Sequence, residues 1–256
     1  MANRSSMDGA AGEVGRLLKR ARRVLFITGA GVSAESHIPT FRGATAAFAD
    51  GMTEDGMPFE EALSIDTFQA NPKLAWKYLA LLEMSVRGKT PNAAHIAMAA
   101  LQVPGRSVFV ATQNIDELHQ RAGSRMVYEL HGNLRRILCT QCNYAVHLET
   151  YESLTPAPHC PQCQGWLRPD VVLYGETLPA AAQETFQKEQ SQGFDLVFSL
   201  GTTSLFFYVV EPVMRAARQG IPVVEINPDS TPISEFANFR FAQPAGKAMD
   251  EIMKGM

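Results

Sequence analysis

Four short apolar runs, each followed at once by small or polar residues, constrain the fold of this chain most strongly. The runs are VLFIT (24–28), VFVAT (108–112), LVFSL (196–200) and VVEI (223–226). Unbroken runs of Val, Ile, Leu and Phe are typical of strands that are covered on both faces. Stretches with helical periodicity lie between or after them, at 72–87, 92–101, 179–192 and 210–219. The alternation predicts an α/β protein with a Rossmann-like, doubly wound parallel sheet.

The polar loops that follow the four runs predict a ligand site. The carboxyl ends of parallel strands meet at one edge of a sheet, and ligands bind there. Gly29 and Gly31 directly follow the first run and suit close approach to a phosphate group. Ala34, however, stands where the fingerprint of dinucleotide dehydrogenases has its third glycine. The loop therefore indicates nucleotide binding without indicating hydride transfer.

All four cysteines lie in two C-x2-C pairs that are separated by seventeen residues. Two such pairs can close a tetrahedron of thiolates around Zn(2+), and four sulfurs leave no open position for catalysis. We therefore predict a structural zinc site at Cys139, Cys142, Cys160 and Cys163. The alternative is a pair of redox dithiols or buried free thiols. His147 and His159 lie nearby and are expected to be exposed loop residues.

The chain is expected to form one domain from residue 13 to 256, with a flexible N-terminus at 1–12. Two segments do not fit the sheet: a helical insertion at about 44–71 and a zinc-binding module at about 135–168. Together they would form a smaller zinc-ribbon plus helical lobe. The net charge of −3 supplies no field that attracts nucleic acid or anionic lipid, and no apolar run reaches membrane-spanning length. We expect a cytoplasmic monomer with no nucleic-acid or membrane partner.

Several motifs resemble those of the sirtuin family of NAD-dependent protein deacylases. They occur in family order and are GAGVSAES-IPTFRG (29–43), TQNIDELHQRAGS (112–124), ELHG (129–132), the paired C-x2-C, RPDVVLYGE (168–176), GTTS (201–204) and INPD (226–229). The resemblance implies an enzyme that uses NAD to deacylate lysine in proteins or peptides, releasing nicotinamide and O-acyl-ADP-ribose. Mono-ADP-ribosyl transfer, NAD hydrolysis and a non-enzymatic zinc-ribbon binding module are the alternatives.

The resemblance also assigns the contacts with NAD. The glycine loop would hold phosphate, Phe41 and Arg42 would lie at the nicotinamide ribose, and Asp116 with Ile115 would grip the nicotinamide carboxamide. The implied cofactor-binding residues are Gly29, Ala30, Gly31, Ser33, Glu35, Phe41, Arg42, Gln113, Asn114, Ile115, Asp116, Gly201, Thr202, Thr203, Ser204, Asn227, Pro228, Asp229 and Ala245.

Catalysis is assigned in the same way to His131 as the base and to Asn114, which would contact ribose and water. An imidazole suits the task because its ordinary pKa is about 6.5. The resemblance makes one segment the site of substrate pairing as an added strand, through Val171, Val172, Tyr174, Gly175 and Glu176. The alternative is that this segment is another core strand.

The sequence departs from the family pattern at three places. His37 stands where the family usually has glycine, residues 44–51 lack the usual continuation, and GTTSLFF (201–207) carries an extra Thr and aromatic residues. These departures affect the details of the cofactor loop and of the substrate groove.

The last expectation concerns the acyl group. Sirtuins that prefer succinyl- or malonyl-lysine carry Tyr and Arg three residues apart on the helix before PNAAH, where this chain has Leu79 and Leu82. Leucine offers a buried carboxylate no donor and no charge, so acetyl and longer neutral acyl groups should be preferred by more than about a hundredfold in kcat/KM. Acetyl- and succinyl-lysine versions of one peptide would measure this, and equal values would contradict it. The alternative is that both leucines are ordinary core residues and that the acyl pocket lies elsewhere. A shift of the register by one residue would place Tyr78 at the first of the two positions.

Overall fold

The computed structural model describes residues 2–40, 51–154 and 156–256, with side chains from residue 9 onward. Its centre is a six-stranded sheet in which every neighbouring pair is parallel. The strands are β1 (Arg23–Thr28), β2 (Ser107–Thr112), β3 (Val127–Glu129), β7 (Leu196–Leu200), β8 (Val223–Ile226) and β9 (Phe239–Phe241). Their order is β3-β2-β1-β7-β8-β9. The chain therefore builds outward from β1 in both directions, and the switch point, where ligands bind in such folds, lies between β1 and β7.

Helices cover both faces of this sheet. One apolar layer lies against α1 (Ala2–Arg20), α5 (Ala93–Ala100) and α9 (Ala245–Lys254), and it includes the stacked rings of Phe26 and Phe198, 4.6 Å apart. The other layer lies against α7 (Ala180–Ser191) and α8 (Phe207–Arg218). The predicted doubly wound α/β fold is confirmed.

The smaller lobe combines helices with a second sheet. Its helices are α2 (Phe59–Ala62), α3 (Ile65–Ala70) and α4 (Pro72–Val86). Its antiparallel sheet has the order β5-β4-β6, formed by β4 (Gly132–Cys139), β5 (Ala145–His147) and β6 (Leu167–Val171). The short α6 (Leu118–Arg121) lies between β2 and β3 of the larger sheet. The two parts share one apolar core. The indole Nε1 of Trp76 on α4 donates to the backbone oxygen of Leu167 on β6, at 2.8 Å.

The N-terminal helix differs from its prediction. The helical pattern of the sequence begins at Glu13, whereas α1 begins at Ala2, and the flexibility of residues 1–12 stays a prediction. The small residues that suggested disorder instead permit close packing: Ala11 is buried, and a Cβ on Gly15 would lie 2.6 Å from the carbonyl carbon of Gly255. Glycine at position 15 thus lets α1 approach the end of α9.

The two leucines of the acyl prediction lie in the core of the smaller lobe. Leu79 is fully buried and Leu82 is 9% exposed. Tyr78 is also buried, and its hydroxyl donates to Asp55. Such positions agree with the alternative of ordinary core residues, and the selectivity for neutral acyl groups stays a prediction. Within the described ranges, no helix has both the length and the apolar character needed to cross a membrane.

Two glycines of α1 allow a matched test of the packing against α9. Gly15→Ala should lower the free energy of unfolding by about 1–3 kcal/mol, because the methyl group would overlap the backbone of Gly255. Gly12→Ala is the control: its Cβ would meet only Arg16, at 3.7 Å, so helix propensity should raise stability by up to about 1 kcal/mol. Thermal and urea unfolding would measure both. A Gly15→Ala protein as stable as the Gly12→Ala protein would contradict the close contact.

Candidate active site

The loops after β1 and β7 touch each other through their glycines. Gly29 N–H donates to Leu200 O at 3.1 Å, and Gly31 N–H donates to Gly201 O at 2.8 Å. A Cβ on Gly31 would lie 2.7 Å from Gly201 Cα, and Gly201 has a positive φ of 57°. Both positions therefore require glycine for the contact itself. The contact places two backbone-lined loops side by side at the switch point of the sheet.

The loops after β2 and β8 join this contact through Thr202. Gln113 Nε2 donates to Thr202 Oγ1 at 2.8 Å, and Asn227 Nδ2 donates to Thr202 O at 2.9 Å. Gln113 N–H also donates to Thr28 O at 2.9 Å. All four polar strand ends that the sequence indicated therefore meet at one edge.

A buried hydroxyl lies in the same place. Ser204 is 1% exposed with a positive φ of 52°, and its Oγ has no hydrogen-bond partner among the described residues. Buried polar atoms are rarely left unpaired, so this hydroxyl fits contact with a polar ligand. The neighbouring Thr203 is exposed.

Ser33, Asn114 and Asp116 form one buried polar cluster. Ser33 Oγ donates to Asp116 Oδ2 at 2.7 Å and accepts from Asn114 Nδ2 at 3.0 Å. Leu118 N–H donates to Asp116 Oδ1 at 2.9 Å. Burial raises the pKa of Asp116, whereas the Leu118 N–H and the Ser33 hydroxyl lower it. The carboxyl group is thus held in one orientation by residues of two different loops.

His131 lies half-buried at the end of β3, beside the other loops. Its Nε2 is 2.5 Å from the hydroxyl of Tyr208, in the first turn of α8. Burial lowers the pKa of His131, and a hydrogen bond with the Gln113 backbone raises it. A lowered pKa keeps the ring neutral near pH 7, which is the form that can accept a proton.

The backbone around His131 is fixed by the adjoining β6 segment. Val172 N–H donates to His131 O at 2.9 Å. Gly132 has a φ of 79°, and a Cβ there would lie 1.9 Å from Asp170 O. The glycine that follows His131 is therefore required for the close approach of β4 and β6.

Part of the 171–176 segment forms backbone hydrogen bonds with other segments of the chain. Val171 ends β6, whereas Tyr174 N–H donates to Leu63 O at 3.0 Å and Tyr174 O accepts from Ile65 N–H at 2.9 Å. Glu176 forms an ion pair with Arg168 at 2.7 Å and accepts from Leu173 N–H at 2.8 Å. These contacts fix the shape of the segment. Its pairing with a substrate strand stays a prediction.

Two of the predicted cofactor residues join the glycine loop to α9. Glu35 Oε2 accepts a hydrogen bond from Gly246 N–H at 2.5 Å, and Ala245, the first residue of α9, is 3% exposed. The acid is therefore placed at a helix N-terminus, where negative charge is favourable. Phe41 and Arg42 lie outside the described residues.

The remaining predicted contacts have local roles as well. Asn227 Oδ1 accepts from Asp229 N–H at 3.1 Å across Pro228. Ile115 packs on the core of the smaller lobe, and its carbonyl accepts from Leu134 N–H at 3.1 Å. His37, where the resemblance expects glycine, has a φ of 59°. That left-handed conformation explains why glycine suits the position.

Sequence reasoning missed a support behind the glycine loop. Asn92 Nδ2 donates to Val32 O at 2.8 Å and to Ser36 Oγ at 3.0 Å, while His95 completes a capping box with Asn92 at the start of α5. His95 and His119 are both buried, with ring centres 4.7 Å apart, and burial lowers both pKa values, that of His95 to about 4. The PNAAH motif, which contains Asn92 and His95, is the sequence feature that could have indicated these contacts behind the glycine loop.

The four cysteines lie together as predicted. Their Sγ atoms are all within 4.8 Å of one another, with Cys139 and Cys163 3.4 Å apart and Cys142 and Cys160 3.6 Å apart. A tetrahedron with Zn–S bonds of about 2.3 Å requires sulfurs about 3.8 Å apart, so the cluster fits zinc. His159 bonds the backbone of Gln164 and stacks on Trp166, so its ring is engaged outside the cluster.

The fold and the site define a nucleotide-binding α/β enzyme with a structural zinc lobe. Residues 29–208 match the model of the Sir2 family, and the chain belongs to that family. The resemblance stated from the sequence motifs is thereby confirmed.

Relatives and solved structures agree with this assignment. The chain is 42% identical to a Pseudomonas aeruginosa protein named NAD-dependent protein deacylase 2, over 93% of this chain and 92% of that protein. It is 36% identical to NAD-dependent protein deacylase 1 of Archaeoglobus fulgidus, over 93% and 95%. A solved complex of a Sir2 homologue with NAD has a TM-score of 0.84 at 35% identity, covering 94% of this chain and 92% of that one. A Sir2 variant with a deacetylated p53 peptide and 3′-O-acetyl ADP-ribose has a TM-score of 0.83 at 28% identity, covering 95% and 98%.

The zinc site gives a direct test. Metal analysis should find one zinc per chain, and Cys142→Ser should release it and unfold residues 132–171, since structural zinc contributes about 10 kcal/mol or more to folding in small modules. Hydrogen exchange should show lost protection in β4 and β6 and retained protection in β1 and β7, which serve as the internal control. A metal-free protein with full protection in β4 and β6 would contradict a structural role for zinc.

Proposed function

We propose that the chain is an NAD-dependent protein-lysine deacylase that releases nicotinamide and O-acyl-ADP-ribose, with acetyl and longer neutral acyl groups as its preferred substrates. The observation that carries the proposal is the position of His131. Its neutral ring faces the loops that suit NAD, and its backbone is bonded to Val172 of the predicted substrate segment. A base between a nucleotide site and a peptide site is what transfer of an acyl group to ADP-ribose requires.

The residues around the switch point fit NAD. The Gly31–Gly201 contact holds the two glycine loops side by side at the switch point, where a phosphate would bind, and the unpaired Ser204 hydroxyl supplies a donor in the same loop. Gln113, Thr202 and Asn227 would face the sugars. When bound, NAD supplies the ribose carbon from which nicotinamide departs and which the acyl oxygen attacks.

Asp116 suits recognition of the nicotinamide carboxamide. Its two oxygens already accept from Ser33 and Leu118, so the carboxyl group cannot rotate, and each oxygen retains a second lone pair for an NH2 donor. Asn114, bonded to Ser33, would orient ribose or water from the same cluster. Fixed polar groups of this kind reduce the reorganisation that the reaction requires.

His131 would act as the base for a ribose hydroxyl. Its lowered pKa keeps Nε2 able to accept the proton near neutral pH. The ring would hold that proton as imidazolium, and bound NAD would supply the ribose oxygen to which the acyl group is transferred. Because the acyl-lysine oxygen is a weak nucleophile, the β6 segment would contribute mainly by positioning the peptide.

The partner and the location remain proposals of the same kind. Acyl-lysine proteins or peptides are the proposed partners, in keeping with the peptide complex of a Sir2 relative. Four free thiols gathered for zinc suit a reducing compartment, so we propose that the enzyme acts in the cytoplasm, as a monomer.

One assay separates deacylation from ADP-ribosyl transfer and NAD hydrolysis. Nicotinamide release should depend on an acyl-lysine peptide and should stay near background with the same peptide unmodified. His131→Tyr should lower deacylation by about a hundredfold or more while NAD affinity changes little, because the base is lost and the cofactor loops are retained.

The matched control is His159→Tyr, where the exposed ring stacks on Trp166 and not on a cofactor loop. This variant should keep normal turnover. Nicotinamide release without any acyl peptide would favour hydrolysis, and unchanged turnover by His131→Tyr would place the base elsewhere.

A further inference from the structure

We propose that Tyr208 is a positioning residue for His131. Its hydroxyl donates a hydrogen bond to Nε2 and thereby selects the neutral tautomer whose lone pair lies on that nitrogen. The inference rests on the proposed role of His131 as the base. It adds a residue outside the four cofactor loops and outside the substrate segment.

Three aromatic rings hold this contact in place. Tyr208 Oη lies 2.5 Å from His131 Nε2. The Tyr208 ring stacks on Phe206, with centres 5.4 Å apart and planes 12° apart. The His131 ring stands nearly perpendicular to both, at 78° to Tyr208 and 89° to Phe206. The stacked pair limits rotation of the imidazole and keeps Nε2 directed at the hydroxyl.

The second hydrogen bond of the ring agrees with this tautomer. The Gln113 backbone raises the pKa of His131, as a carbonyl does when it accepts from a ring N–H. Because Nε2 faces the Tyr208 hydroxyl, we assign that N–H to Nδ1. Among the described residues no charged group contributes to the lowered pKa of His131. Tyr208 is the titratable group that faces the ring.

Tyr208 keeps its proton while His131 titrates. Burial raises the pKa of Tyr208 to about 12, far above the range in which an imidazole changes charge. A hydroxyl that remains protonated donates to neutral imidazole but cannot donate to imidazolium, which has no free lone pair. The hydroxyl oxygen can in turn accept from the Nε2–H of imidazolium, so Tyr208 can hold the ring in both protonation states and does so more strongly in the charged one.

A neutral imidazole has one free nitrogen lone pair, so it can accept one full hydrogen bond at a time. This limits the stage of the reaction at which the Tyr208 contact can exist. The ribose hydroxyl and the Tyr208 hydroxyl cannot both donate to Nε2 at full strength. The Tyr208 bond thus belongs to the resting enzyme, and the substrate hydroxyl replaces it at the nitrogen that has already been oriented.

The first test uses the wild-type protein. Nitrogen-15 NMR of labelled histidine should show His131 as the tautomer protonated at Nδ1, with Nε2 as acceptor. His131→Tyr identifies the signal among the six histidines. A resting tautomer protonated at Nε2 would overturn the proposal.

The second test removes only the hydroxyl. Tyr208→Phe should lower the NMR-measured pKa of His131 by about 0.5–1 unit, because imidazolium loses a stronger hydrogen bond than the neutral ring does. The acid limb of kcat/KM should move to lower pH by the same amount, and kcat/KM on the alkaline plateau should fall because the ring is no longer held in place. Tyr128→Phe, at a ring that stacks on Phe109 elsewhere in the sheet, is the control and should change neither value.

The outcomes separate the two proposals. If the NMR pKa moves and the kinetic limb does not, Tyr208 positions a histidine that is not the base, and the proposed function needs revision. If neither the pKa nor the tautomer changes in Tyr208→Phe, the positioning role is overturned while deacylation by His131 stands.

Discussion

The backbone contact between Gly31 and Gly201 fixes the position of the other site residues. It joins the loops after β1 and β7, the two neighbouring strands between which the order of strand addition reverses. Thr202 follows directly and bonds Gln113 from the loop after β2 and Asn227 from the loop after β8. A Cβ on Gly31 would lie 2.7 Å from Gly201 Cα, so side chains at the two glycines would push the loops apart and weaken the hydrogen bond between them.

A second junction connects the zinc lobe with the cofactor site through Glu117. This residue follows Asp116 and has a positive φ of 62°, a conformation that costs free energy for any side chain except glycine. Its carboxylate pairs with Arg135 on β4 at 3.2 Å and with His147 on β5 at 3.0 Å. The lobe therefore holds the backbone beside Asp116 in a strained conformation. Four cysteine ligands would leave zinc no open position for catalysis, and zinc bound there would stabilise the strands that carry Arg135 and His147.

The sequence predicted the site best where glycine or polar residues directly follow a strongly apolar strand. The four central strands and the convergence of their loops could be predicted because buried parallel strands have unbroken apolar runs. β3 and β9 were missed because each has three residues, too few for a pattern. α1 was predicted to be shorter because small residues are typical both of disorder and of tight helix packing. The contacts of Tyr208, Glu35 and Asn92 depend on tertiary neighbours, so spacing alone could not indicate them.

Burial acts on Asp116 and His131 in opposite directions on the pKa scale, and in both cases it favours the neutral form. For Asp116 the Leu118 N–H and the Ser33 hydroxyl partly offset that effect, although the pKa stays raised, and they hold the carboxyl group in one orientation. For His131 no ion pair opposes it among the described residues, and the ring stays a neutral base. The two groups thus acquire different roles from the same low-polarity surroundings. The difference lies in their partners: the carboxyl group accepts hydrogen bonds that stabilise its charge, whereas the imidazole shares one with a Tyr208 hydroxyl that can donate to the neutral ring.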